Sequence, residues 1–337
     1  QVIYSDEDKI NEKGERYDPY FKPDWNPELF LGQNYLSHLT VIRRDLIKQV
    51  KGFRKGFVGA QGWDLFLRVT ERVKAEQIRH IPSILYHWRA FGQSTALAVD
   101  KKDYVLGKAK KCLNEALRRR NAPALVKSSD PVFSYWRIKY ALPSPLPLVS
   151  VLIPFRDRVD LLEACLNSIR RTVSYQNLEI ILLDNESSEP ETLSYLRKTK
   201  SEKSTRVIRV NGEFNYSRIN NVGVSEANGD LVLLLNNDVE AIEPGWLEEM
   251  ISHASRTDVG CVGAKLLYSN NTIQHAGVIL GTGGGPAHLL KNSSSYAKGY
   301  FGNLMLVRNG SAVTGACLMV RKSVYEEVGG LDEISLK

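Results

Sequence analysis

The chain has 337 residues, a length that suits two domains better than one, and its 43% hydrophobic content allows a true core. A net charge of +7 is a modest excess that calls for no nucleic-acid partner, and no apolar run is long enough to cross a bilayer. Four cysteines with no CxxC pair argue against a zinc site or a disulfide framework and for buried reduced thiols in a reducing, cytoplasmic setting.

The first stretch, "VIYSDEDKI", is an apolar strand that runs into Asp6, Glu7 and Asp8. It starts in mid-strand at Gln1, and the other end stops at Lys337 without an end signal, so a fragment cut at both ends is expected. "DYVLGKAKKCLNEALRRRN" reads as a helix that concentrates Lys108, Lys110, Lys111 and Arg118 to Arg120. The plain reading of that run is a solvated face; the sharper one is peripheral contact with anionic lipid at the inner face of a membrane, or with a phosphorylated substrate. "SDPVFSYWRIKYALPSPLP" supplies an edge strand and a proline-rich entry to the next domain.

From residue 148 strands and helices alternate. Strands are predicted at 149–155, 178–184, 206–210 and 231–237. Helices are predicted over 161–172, capped by Asp157 or Asp160, over 189–198 with Pro190 in the first turn, from Ser217 as cap to near Gly229, and from 243 to 254. Such alternation predicts an α/β fold with a parallel sheet covered on both faces, which binds ligands beyond the carboxyl ends of its strands. Asp157, Asp184 and Asp238 all fall at such ends.

The sequence also repeats internally. "VIRRDLIKQVKGF" aligns without a gap to "MVRKSVYEEVGGL", and "VIYSDED" to the strand ending in Asp238, so Asp8 matches Asp238. The second copy is longer between these landmarks by about 48 residues, which hold "HAGVILGTGGGPAHLL". There, "GTGGGP" lacks the Lys-Ser/Thr of a phosphate loop and reads as a mobile loop, and His275 as a structural histidine on a strand. Acids closing a strand can hold Mg²⁺ or Mn²⁺ when substrate phosphates complete the shell. Taken singly, either triplet is a weak signal and reads first as a turn or cap.

"VSVLIPFRDR", "LLDNESS", "FNYSRINNVGVSEANGDLVLLLNND" and "TGACLMVRKSVYEEVGGLDE" together resemble the family 2 inverting glycosyltransferases of GT-A fold, above all the tandem-domain bacterial enzymes of rhamnan and O-antigen assembly. The resemblance implies a nucleotide-diphosphate sugar donor, UDP- or dTDP-linked, a glycan or lipid-linked glycan acceptor, and Mg²⁺ or Mn²⁺. It places Pro154, Phe155, Asp157, Asp184, Asn185 and Ser187 beside the base, and Asn215, Asn220, Asn221 and Gly223 along the donor pocket. Asn236, Asn237 and Asp238 stand where the family has its DxD motif, with Asp238 as metal ligand. Asp6 and Asp8 correspond in the first copy, and His87 lies where the family carries a histidine at the metal-bound diphosphate. Gly62 occupies a place where the family carries an acid. Asp64 is then either the catalytic base or a helix-start acid paired with Arg68.

The resemblance divides the chain into the back part of a first domain (1–98), a helical linker with an edge strand (99–147), and the front and middle of a second domain (148–337). The rival reading is a non-catalytic copy that binds sugar or scaffolds its neighbour. A nucleotidyltransferase would want a glycine-rich loop after the first strand, and "PFRDR" offers none.

Overall fold

The computed structural model describes residues 1–90, 103–199, 204–282 and 284–335. They fall into two units, Gln1–Tyr140 with Tyr296–Asn309, and Ala141–Ser295 with Gly310–Lys337.

In the first unit the long strand β1 (Val2–Ile10) pairs antiparallel with β2 (Arg16–Tyr20) and β3 (Thr40–Ile42), and parallel with β4 (Ile78–Arg89). Between them lie α1 (Pro27–Gly32), capped by the Asn26 side chain, α2 (Arg44–Gln49) and α3 (Gln61–Thr70). The helix α4 (Asp103–Arg119) follows, then a hairpin of β5 (Ala124–Asp130) and β6 (Tyr135–Tyr140). The described residues 103–140 of the segment assigned from sequence to a linker thus fall in this unit, and 141–147 in the other. Cys112, Leu113, Ala116 and Leu117 of α4 share one core with Trp63 and Leu67 of α3 and Trp136 of β6. The 296–309 segment adds Leu306 to that core and stacks Phe301 on Tyr20 with ring centroids 3.6 Å apart.

The second unit is built on β7 (Val149–Phe155), β8 (Leu178–Asp184), β9 (Thr205–Arg209) and β10 (Leu231–Leu235), all parallel. Two antiparallel strands, β11 (Cys261–Gly263) and β16 (Cys317–Arg321), extend it in the order β11-β16-β10-β7-β8-β9. β7 and β10 are buried along their whole length, which is why they read as unbroken apolar runs. One face is covered by α5 (Val159–Thr172) and α8 (Trp246–Ala254), the other by α7 (Tyr216–Glu226). The helix α6 (Pro190–Thr199) packs beside α5, and α9 (Lys322–Glu327) follows β16.

Several expectations shift. Asn215, not Ser217, caps α7, and α5 has no side-chain cap: its lead-in residues Asp157 and Arg158 are both left-handed, at φ 50°. "GTGGGP" is not simply a loop, since its flanks form a hairpin of β14 (Val278–Thr282) and β15 (Gly285–His288), after the small pair β12 (Leu266–Leu267) and β13 (Ile273–His275). Three cysteines are buried thiols, but Cys261 is exposed. No described helix is long and apolar enough to cross a membrane.

Candidate functional site

Parallel strands end together, so the loops after β7, β8 and β10 meet at one edge of the second unit's sheet. Phe155 is in register with Asp184, and Asp184 with Arg209. Hydrogen bonds stitch the first two loops. The Asp157 amide donates to Ser187 Oγ (2.8 Å), and the Asp157 carboxylate accepts from the amides of Ser188 and Glu189 (2.8 and 2.9 Å). Asp157 thus serves the start of α6 rather than α5. Asp184 is buried; its carboxylate accepts from the Ser187 amide (2.8 Å) and from Arg209 Nη1 (3.1 Å). Asn185 donates its amide to the Phe155 carbonyl and its side-chain nitrogen to the carbonyls of Val210 and Gly212 (both 3.0 Å). Its Oδ1 is buried and accepts from no described residue, an acceptor left over at the ligand edge of the sheet.

Asn236, Asn237 and Asp238 follow β10 at the same edge. The Asn236 amide donates to Ala316 (3.0 Å), which holds the turn, while Asn236 and Asn237 are half-buried and Asp238 is exposed. No described residue donates a hydrogen bond to the Asp238 carboxylate. A carboxylate that no described residue engages, following two asparagines in the chain, suits a hard divalent cation whose shell is completed by water and phosphate.

Other residues expected to line the donor pocket have structural duties. Pro154 and Phe155 lie in the buried strand, with the Phe155 ring in the core. Asn215 caps α7 through the Arg218 amide (2.9 Å) and donates to the Glu333 carbonyl. Asn220 is fully buried and donates to Tyr216 O. Asn221 brackets the "GGL" turn: Oδ1 accepts from Tyr325 Oη (2.5 Å) and the Leu331 amide (3.0 Å), and Nδ2 donates to Leu331 O (2.9 Å). A Cβ on Gly223 would come within 2.6 Å of Leu183 Cδ1, so this glycine lets α7 lie against the sheet.

In the first unit each acid of the triplet meets a histidine. His80 Nε2 lies 2.8 Å from Asp6, His38 Nδ1 lies 3.2 Å from Glu7, and His87 Nδ1 lies 2.5 Å from Asp8. Further donors share these acids: Lys22 meets the same oxygens of Asp6 and Glu7 that the histidines do, and only in Asp8 is the second oxygen taken, by Arg16. The Lys22 amide donates to Asp6 (2.8 Å), Lys22 Nζ lies 3.6 Å from Glu7, and Arg16 Nε donates to Asp8 (2.6 Å). Burial pushes the Asp8 carboxyl up, but the bonds from His87 and Arg16 outweigh it and hold it below the usual range. Burial likewise brings Lys22 down to about 8 against the pull of Glu7. His87 meets Asp8, whose two oxygens are taken by His87 and Arg16, whereas Asp6 pairs with His80 instead. Among the described residues these side chains do not form a three-membered metal-ligand group.

Asp64 is 1% exposed. Arg54 grips it through both Nε (3.1 Å) and Nη2, and Arg68 through Nε and Nη2 (3.1 and 2.8 Å). Burial raises its pKa, yet these bonds prevail and lower it. A carboxylate so held is a poor proton acceptor. The geometry pairs it with both Arg54 and Arg68.

Residues 150–329 match the model of glycosyl transferase family 2. The chain belongs to that family. The sheet of the second unit is accordingly a GT-A sheet. The chain is 44% identical over its whole length to the uncharacterized protein y4gI of Sinorhizobium fredii, covering 37% of that protein. It is 38% identical, over 98% of its length, to the O-antigen biosynthesis protein RfbC of Myxococcus xanthus, covering 26% of it. The chain thus spans well under half the length of these relatives. The mannosyltransferase PcManGT of Pyrobaculum calidifontis, solved with GDP-Man and Mn²⁺, superposes with a TM-score of 0.41 at 15% identity, over 57% of this chain and 49% of that one.

One feature escaped the sequence reading. His275 is buried, and its Nε2 accepts from the amides of Gly277 and Thr314 (3.2 and 3.3 Å), which leaves Nδ1 as the donor to His288 Nδ1 at 2.8 Å. Thr314 lies two residues from Ala316, the partner of Asn236. The signal was available: two histidines flank the glycine run that joins β14 to β15.

Proposed function

We propose that the chain takes part in transferring a sugar, with inversion, from a UDP- or dTDP-sugar to a growing cell-surface polysaccharide. The observation that carries this reading is the shared sheet edge of the second unit, where Asp157, Asp184, Asn185 and the open carboxylate of Asp238 meet in a family 2 chain. The O-antigen role named for the Myxococcus relative supports a polysaccharide acceptor. In this reading the two loops stitched by Asp157, Asp184 and Ser187 form the base-binding wall. The spare Oδ1 of Asn185 accepts the imide N–H of uracil or thymine.

Asp238, with Asn236, would hold a Mg²⁺ or Mn²⁺ ion, which neutralises charge on the departing diphosphate when bound. Inversion by single displacement needs one base to take the acceptor's proton and no covalent sugar–enzyme intermediate. In this reading Asp64, held by Arg54 and Arg68, does not supply that base. Its engagement by two arginines, together with Gly62, favours a second reading for the first unit alone: a non-catalytic copy that binds or scaffolds.

Titration calorimetry of the chain with UDP, dTDP and GDP tests the reading. UDP or dTDP is expected to bind at least about tenfold tighter with Mn²⁺ than without, an effect of about 1.4 kcal/mol. A folded sample that binds none of the three would overturn it.

A further inference from the structure

We propose that the first unit carries a docking surface for an anionic lipid bilayer, formed by the loop over residues 51–59 and the outer face of α4. This goes beyond sugar transfer and does not depend on it. Two features of one surface carry the inference.

The first is a pair of apolar side chains held outward on a clamped loop. Phe53 and Val58 are 67% and 70% exposed. The loop between them is fixed: Phe57 is buried, with Arg54 and Lys111 over its ring at 4.3 and 4.8 Å. Arg54 also joins the loop to α3 through Asp64 and to α4 through Glu115 (2.7 Å). Gly52, Gly56 and Gly59 take left-handed φ of 64°, 90° and 89°, and at Gly59 a Cβ would come within 2.7 Å of Val105 on α4, so that turn lets the chain approach the helix. The internal repeat gives a comparison. Leu331, the counterpart of Phe53 in the second copy, packs partly buried against its core. Phe53 has no such cover among the described residues, and Lys51 and Lys55 flank it, both exposed.

The second is a basic groove beside that loop. It is open, encloses about 450 Å³, and is lined by Gly107, Lys110, Lys111, Asn114, Glu115 and Arg118. Its one acid, Glu115, is already paired with Arg54, whereas Lys110 and Arg118 are exposed. Cations flanking outward apolar residues match the interfacial zone of an anionic membrane, where phosphates meet the ammonium and guanidinium groups and apolar tips enter the acyl boundary. A protein partner would need a matching cavity for Phe53; a bilayer needs none.

Co-sedimentation of the chain with vesicles tests this. Vesicles of phosphatidylcholine with phosphatidylglycerol are expected to bind it, and phosphatidylcholine alone is not, with binding that falls as salt rises. Lys110→Ala with Arg118→Ala is expected to weaken partitioning about 25-fold, and Phe53→Ser with Val58→Ser at least about tenfold. All four residues are exposed, so thermal melting should be unchanged. The proposal is overturned by lack of binding to anionic vesicles, by equal binding to neutral ones, or by binding that neither pair of changes reduces. Tighter binding to an RNA oligomer than to the vesicles at the same salt would overturn it too.

Discussion

Asp64 sits in the first turn of α3 and Asp238 just past β10, and their surroundings give these two acids opposite uses. Asp64→Asn would leave two guanidinium groups facing a neutral amide in a buried place. The expected cost is about 3–5 kcal/mol, read from denaturant unfolding. Nucleotide affinity should stay unchanged, since Asp64 lies in the first unit. Because its folded pKa lies below the ordinary 3.8, its contribution is present above that value and is lost as pH falls through the lower one. Loss of stability below about pH 4 should therefore be milder in Asp64→Asn than in the parent chain. Asp238→Ala should do the reverse. An exposed acid without protein partners contributes within about 0.5 kcal/mol to stability, so the melting temperature should hold while Mn²⁺-dependent nucleotide binding weakens. Asn236→Asp adds a second charge and should tighten the Mn²⁺ dependence. If Asn236→Asp leaves it unmoved, the cation is not held there.

The element that best separates donor contact from architecture is α7. Its motif suggested a row of pocket-lining groups, but its side chains cap the helix, tie it to the "GGL" turn and let it approach the sheet. Asn215→Ala should cost about 1 kcal/mol through the lost cap. Gly223→Ala should cost about 1–3 kcal/mol, because a methyl group there must push Leu183 and Leu152 aside. Both losses would appear in unfolding curves without nucleotide. A change in nucleotide affinity alone, with stability intact, would restore the pocket reading. Sequence could not make this distinction. A short Asn side chain serves equally as cap, bracket or ligand contact, and only the partner across space decides.

At the scale of the whole molecule, the strands of the second unit were legible because a buried parallel strand is a run of apolar residues closed by turn formers; β7 and β8 were placed to the residue. Less legible was whatever depended on distant pairing. The β5–β6 hairpin was seen as one edge strand, and α4 as a linker helix, because an amphipathic helix does not state which core it joins. The acids at the sheet edge could be named in advance, but the arginines around Asp64 and the histidine beside each of Asp6, Glu7 and Asp8 could not. The repeat leaves one more consequence. Val2 faces Ile42 and Ile3 faces Val41 in β1–β3, just as Val232 faces Val320 and Leu233 faces Met319 in β10–β16. With Asp8 aligned to Asp238 these are the same rungs, so residues 41–53 and 319–331 are cassettes of equal length on interchangeable rails. A chimera that exchanges them keeps the ladder between backbones and alters only side chains, which turns an ancestral duplication into a tool for moving surface chemistry from one copy to the other.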